Sequence, residues 1–142
     1  MSTEHSIPMG LRAAYLSMHR QTDACLARHG VTANQFVLLA LLAEDDGITQ
    51  QQLVKRAFSD PNTIRAMLLL LERQGLVARE QHPDDGRAHH ITITSQGRRT
   101  FRKLMEVSES LRGRMFALFN EEEVEMLLEF LGRIANAMVQ PE

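Results

Sequence analysis

Leu76-Val77-Ala78-Arg79-Glu80-Gln81, then Pro83-Asp84-Asp85-Gly86, then His89-His90-Ile91-Thr92-Ile93-Thr94 is the stretch whose reading decides the fold. Its flanks carry β-branched residues, and His90 to Thr94 alternates polar and apolar, the period of a strand with one buried face. The centre is turn chemistry, proline and glycine around two aspartates. A β-hairpin is therefore expected. On both sides the period is helical. Upstream, Asp60-Pro61 supplies a cap and a proline at the first helical position, Ile64, Met67, Leu68 and Leu71 form one stripe, and Gly75 ends the helix. Thr49 with Gln52 fits a capping box that opens a short helix through Leu53, Val54 and Ala57, after the turn Glu44 to Gly47.

Working outward, Thr32 with Gln35 fits another capping box, which leads into Phe36 to Leu42. Before it, Ile7, Leu11, Ala14, Tyr15, Met18, Cys25 and Leu26 recur at helical spacing up to Gly30. After the hairpin, a fifth helix runs from Ser95, with Phe101, Leu104, Met105, Ser108, Leu111, Met115, Leu118 and Phe119 on one face. Asn120 caps a sixth, whose stripe is Val124, Leu127, Leu128, Leu131, Ile134, Ala135 and Met138. Two short helices and a two-stranded hairpin give the order of a winged helix-turn-helix. The expected class is mainly α (α+β): a lobe over 32–94 with long terminal helices, 7–30 and 95–139, in a single domain spanning 1–142. That lobe is too small to cover the apolar faces of the terminal helices as well. Leu11, Leu128, Leu131 and Met138 are the candidates for an interface with a second copy.

Composition narrows the function classes. The 142 residues are 44% hydrophobic and 24% charged, enough for a core and against a disordered chain. No apolar run approaches the roughly 18 residues of a membrane helix, and Met1 to Gly10 lacks the pattern of a signal peptide, so a cytoplasmic protein without membrane contact is expected. One cysteine excludes an internal disulfide framework and a thiolate zinc cage. Cys25 shares a stripe with Met18 and Leu26, the position of a small core residue. His89 and His90, beside His82, face opposite ways along a strand, so no metal is expected there. Gly-rich phosphate loops, His-Glu-x-x-His and Gly-x-Ser-x-Gly are absent, which leaves no enzyme reading and no cofactor.

The net charge of −2 hides an asymmetry, because Gly47 to Lys103 holds ten basic and five acidic residues. A basic middle between acidic ends points to a polyanion for that segment. At this point Gly75-Leu76-Val77-Ala78-Arg79, Asp85-Gly86-Arg87 and Ile91-Thr92-Ile93-Thr94-Ser95-Gln96-Gly97-Arg98, with Gly30 to Phe36 ahead of them, resemble the signature of the multiple antibiotic resistance regulator (MarR) family of bacterial transcription factors. The resemblance covers about residues 8 to 139. It implies an obligate homodimer on a pseudo-palindromic operator in double-stranded DNA, released by a small, often phenolic, effector. Ala66 stands where the family usually has a basic residue, and Leu69 and Leu70 where it has polar ones, so these two leucines are expected to pack either on the effector region or on the N-terminal helix.

Candidate DNA contacts follow. Arg87 at the hairpin tip suits a narrow minor groove, with Asp85 placed to orient its guanidinium. Asn62, Thr63 and Arg65 open the fourth helix, the part that enters the major groove, where Asn pairs with adenine and Arg with guanine. Thr49, Gln50 and Gln51 serve either as phosphate contacts or as a helix cap, and Arg98 and Arg99 either as phosphate contacts or as solvated charge. The effector pocket is expected where the first, second and fifth helices approach the lobe, at Tyr15, Met18, His19, Phe36, Leu39, Leu111 and Met115. The same residues also fit a plain inter-helix core. A rival from another class is a helical dimer acting through protein partners, of anti-repressor type, without operator binding.

Overall fold

The computed structural model describes residues 3–81 and 89–139. Two compact units divide the chain, Met1–Ser108 and Glu109–Glu142. The first holds α1 (Thr3–Leu26), a 3-10 turn (Ala27–His29), α2 (Ala33–Glu44), β1 (Ile48–Thr49), α3 (Gln50–Arg56), α4 (Pro61–Arg73), β2 (Val77–Gln81), β3 (His89–Ile93) and α5 (Ser95–Val107). The second holds α6 (Glu109–Phe116) and α7 (Glu121–Val139). Among the described residues no single helix is long and apolar enough to cross a membrane.

The helix starts follow the local chemistry read above. Thr32 Oγ1 accepts from Gln35 N at 3.1 Å while Gln35 Oε1 accepts from Thr32 N at 3.0 Å, which satisfies a glutamine that is otherwise buried. Thr49 and Gln52 repeat the pair at 3.1 and 2.8 Å. Asn120 and Glu123 do the same for α7, at 2.8 and 3.0 Å. Asp23 adds a tertiary cap: its Oδ1 accepts from Ala33 N at 2.6 Å and ties α1 to the start of α2.

The core of the first unit draws Leu38, Leu39 and Leu42 from α2, Leu53 from α3, and Ile64, Leu68 and Leu71 from α4. Ile91 and Ile93 of β3 close it from the sheet, and Leu26 and Leu104 bring the end of α1 and the middle of α5 into the same cluster. The sheet has three strands in the order β1-β3-β2, all antiparallel neighbours, with Val77 opposite Ile93 and Ile48 opposite Ile91. β1 is one strand more than the hairpin expected from sequence. At two residues it is too short to carry an alternation, and only Ile48, buried on β3, marks it.

The fifth helix of the sequence reading is two helices, α5 and α6, separated at Ser108. The buried Ser108 hydroxyl donates to Leu104 O at 2.6 Å, the back-bonding that competes with regular helix geometry. Apolar periodicity runs through this break because the side chains on either side keep a common spacing.

α3 and α4 both end in the same hydrogen-bonded motif with different residues at its left-handed position. After α4, Gly75 sits at φ +76, with Gly75 N bonded to Glu72 O and Leu76 N to Leu71 O, both at 2.9 Å. After α3, Phe58 sits there at φ +50, with Phe58 N bonded to Lys55 O and Ser59 N to Val54 O. A phenylalanine in that region is uncommon, and this one is also 68% exposed.

Among the glycines of the described residues, Gly97 marks the tightest approach. A Cβ there would collide with Leu76 O and lie 2.7 Å from Ile93 Cγ1. Thr94 closes the same point: its N–H donates to Leu76 O at 3.0 Å, its hydroxyl donates to Gly75 O at 2.6 Å, and it accepts from Gly97 N at 3.0 Å. Gly97→Ala is expected to destabilise the protein by about 1–3 kcal/mol, because the first atom met is backbone rather than a movable side chain. Thermal unfolding of the variant beside the wild type checks this, and an unchanged Tm would contradict it.

Candidate nucleic-acid interface

α4 is amphipathic in a way that fixes which residues it offers. Ile64, Leu68 and Leu71 face the core, fully or almost fully buried, so Asn62, Thr63, Arg65, Ala66, Leu69 and Leu70 point outward. Asp60 holds the start of the helix. Its Oδ1 accepts from Thr63 N at 2.9 Å and its Oδ2 from Thr63 Oγ1 at 2.7 Å. The Thr63 hydroxyl, and after it the Thr63 N–H, hold the Asp60 carboxyl below its ordinary value of 3.8. The ionised cap therefore stabilises the helix above the usual carboxylate range, and its contribution fades as pH falls through the lowered value. Thr63 spends its hydroxyl proton on that cap.

α3 presents a smaller face. Thr49 is occupied as the cap acceptor for Gln52 N, with Gln50 half-buried and Gln51 exposed beside it. Arg56, in the last turn of α3, pairs with Asp45 at 3.2 Å and Glu44 at 3.5 Å. Arg98 pairs with Asp46 Oδ2 at 3.1 Å, while Asp46 Oδ1 accepts from Ile93 N at 3.1 Å. Asp46 therefore links the turn before β1, the backbone of β3 and the first turn of α5. In the sequence Asp46 reads as a turn residue, since nothing local shows that its partners lie 47 and 52 residues away. Arg79 of β2 pairs with Glu72 of α4 at 3.7 Å and fastens the first strand of the hairpin to the outward-facing helix. Arg99 is exposed beside Arg98. Asp85 and Arg87, with His82, lie outside the described residues.

A second feature of the first unit is a cleft of about 250 Å³ lined by Tyr15, Met18, His19, Thr22, Ala33, Phe36 and Val37. Tyr15 and His19 stack at 5.4 Å between ring centres, and His19 Nε2 lies 3.3 Å from Asp23 Oδ2. Four of the residues expected at a pocket from sequence line it. Leu39 does not: the face of α2 that carries Leu38 and Leu42 turns it into the core, where it is fully buried. Leu111 and Met115 stand on α6, in the second unit. Cys25 is half-buried and its Sγ donates to Val107 O at 2.9 Å.

Comparison with known proteins accords with this geometry. Residues 31–89, from the capping box of α2 to the start of β3, match the model of the MarR family. An uncharacterised HTH-type transcriptional regulator of Bacillus subtilis (strain 168), YdgJ, is 31% identical over 114 residues, which cover 80% of this chain and 68% of that protein. Among solved structures, the transcriptional repressor CouR bound to a 23-mer DNA duplex superposes with a TM-score of 0.80 at 26% identity, over 95% of this chain and 99% of that one. NadR in complex with 4-hydroxyphenylacetate superposes at 0.84 and 24% identity, over 95% and 96%, a likeness of fold. A short helix pair, a three-stranded winged sheet and an outward-facing α4 together with these matches identify the chain: it belongs to the MarR family of transcriptional regulators.

Proposed function

We propose that this regulator is a homodimeric repressor that binds a pseudo-palindromic operator and leaves it on binding a small aromatic or phenolic acid. The observation that carries the DNA reading is the outward face of α4, where Asn62 and Arg65 stand clear of the core on a rigid, capped helix. In a major groove Asn62 pairs with adenine N6 and N7, and Arg65 with guanine O6 and N7. Gln50, Gln51 and Arg99 are candidates for phosphate contacts, which set register rather than sequence. Thr49 and Arg98 support the lobe through the cap and the Asp46 pair, and Arg98 reaches phosphate by exchanging that surface partner. Arg87, oriented by Asp85, is assigned to the neighbouring minor groove. That the CouR repressor was solved on a DNA duplex supports the same reading.

Arg65→Ala is expected to cost about 1–3 kcal/mol of operator affinity and to relax specificity at one base pair. Arg87→Ala is expected to weaken all sequence variants about equally and to reduce the salt dependence, because its contact is to groove potential and phosphate. Mobility shifts on the chain's own upstream region, at several salt concentrations, measure both. Wild-type affinity in both variants would contradict the assignment.

The dimer rests on apolar surface that each unit leaves uncovered. No residue of α7 is buried, with Leu128 64% and Met138 78% exposed, and Leu131 exposed beside them. On α1, Ile7 and Leu11 are exposed as well. An obligate interface buries roughly 2,000 Å² or more, a fitting partner for faces of this extent. Light scattering is expected to give twice the 16.1 kDa chain mass at micromolar concentration, and a folded monomer would contradict it.

For the effector, the cleft offers apolar walls from Met18, Phe36 and Val37, with the Tyr15 hydroxyl and the His19 ring as hydrogen-bonding groups. A ligand carboxylate or phenolate would compete with Asp23 for His19. Because Asp23 also caps α2, such a ligand reaches the α1–α2 connection directly. NadR, of the same fold, was solved with 4-hydroxyphenylacetate. That compound and salicylate are expected to raise the Tm and release DNA, and His19→Ala to blunt both effects. No shift at millimolar ligand would overturn the effector reading alone.

A further inference from the structure

The outward stripe of α4 contains a chemistry that hydrogen-bond readout leaves unused. Asn62, Ala66, Leu69 and Arg73 follow one another at i, i+4, i+7 and i+11, on the side opposite Ile64, Leu68 and Leu71. Arg65 borders the stripe on one flank and Leu70 on the other. Leu69 is 42% and Leu70 48% exposed, so the middle of the face is apolar where a solvated helix would be polar. Nothing in the core accounts for it, because that core is closed by the opposite face.

Resting on the DNA reading above, we propose that Ala66 and Leu69 recognise thymine through its C5-methyl group, so that each half-site carries thymine beneath the middle of α4. The methyl of thymine is the apolar group that a base pair shows in the major groove. The stripe is continuous with the base-reading residues, since Asn62 lies one turn before Ala66 and Arg65 immediately beside it. Ala66 ends at Cβ, so the helix backbone approaches the base edges closely at that level. Leu69 lies about 4.5 Å further along the axis, comparable with the roughly 3.4 Å step between base pairs, so two neighbouring methyls fall within the same apolar surface. The stripe also discriminates against cytosine, whose N4 amine would lose water against Leu69 without gaining a partner. It reads as a specificity device, in which Asn62 and Arg65 fix flanking bases and the apolar pair fixes the middle.

The test uses the full chain and a duplex that it selects from a random pool. Each thymine of the recovered half-site is replaced in turn by deoxyuridine, which keeps every hydrogen-bonding group and lacks only the methyl. Affinity is read by fluorescence anisotropy at fixed salt. One or two positions per half-site are expected to lose about fourfold each, the equivalent of one methyl-sized group left unburied. Ala66→Ser and Leu69→Gln, checked for helix content by circular dichroism, are each expected to reduce the uracil penalty, and the double variant to bind thymine and uracil duplexes alike. If the wild type binds the selected duplex and loses nothing at any uracil, methyl readout is overturned while DNA recognition stands. An equal uracil penalty in wild type and both variants also overturns it, because other residues then carry the effect. If the chain selects no sequence at all, both readings fall.

Discussion

Thr94 and Gly97 hold three parts of the first unit at one point. The Thr94 hydroxyl bonds to Gly75 O at the end of α4, its amide bonds to Leu76 O at the start of the hairpin, and its oxygen caps α5 through Gly97 N. Gly97 carries no side chain, so α5 sits directly against the Leu76 carbonyl. Gly75 in turn supplies the left-handed residue that lets α4 end and the strand begin. The angle between the outward-facing helix and the hairpin is therefore set by backbone contacts rather than by flexible side chains. The proposed reading of a duplex by α4 needs such a fixed placement of the helix on its scaffold.

Charge acts on that surface more sparingly than the sequence count implies. Gly47 to Lys103 carries a net +5, but the fold sets Glu44, Asp45 and Asp46 against Arg56 and Arg98. With those three acids included, the segment Glu44 to Lys103 carries +2. Arg79 is likewise engaged by Glu72. These pairs are exposed and contribute little stability individually. Their effect is on direction, because they hold particular arginines to the lobe while Arg65 extends from α4. On the proposed reading, specificity then rests on few groups, Asn62, Arg65 and the apolar pair behind them, rather than on a continuous basic carpet.

Most of the architecture was legible in the sequence because it is written in local chemistry. The boxes Thr32/Gln35 and Thr49/Gln52, the Asp60-Pro61 start and the glycines at 30 and 75 all stand where the structure uses them. What escaped was non-local or too short. β1 exists only because β3 lies beside it, and the partners of Asp46 are far along the chain. The break at Ser108 depends on a side-chain bond inside a helix whose apolar period continues through it. For the site, periodicity identified the buried stripe of α4 at Ile64, Leu68 and Leu71, but not that Leu69 and Leu70 stand exposed rather than packed on a neighbouring helix. It did not reveal that Thr63 gives its hydroxyl proton to Asp60, nor that Leu39 turns into the core while Phe36, three residues before it, lines the cleft.

The account's central claim is that duplex DNA is read by the outward face of α4. Amide hydrogen exchange of the full chain, with and without a duplex that it selects, tests this most directly. The account predicts slowed exchange concentrated in the first turns of α4, around Asn62 to Ala66, and in the turn that precedes it. Protection confined to α1, α6 or α7, with α4 unchanged, would contradict it.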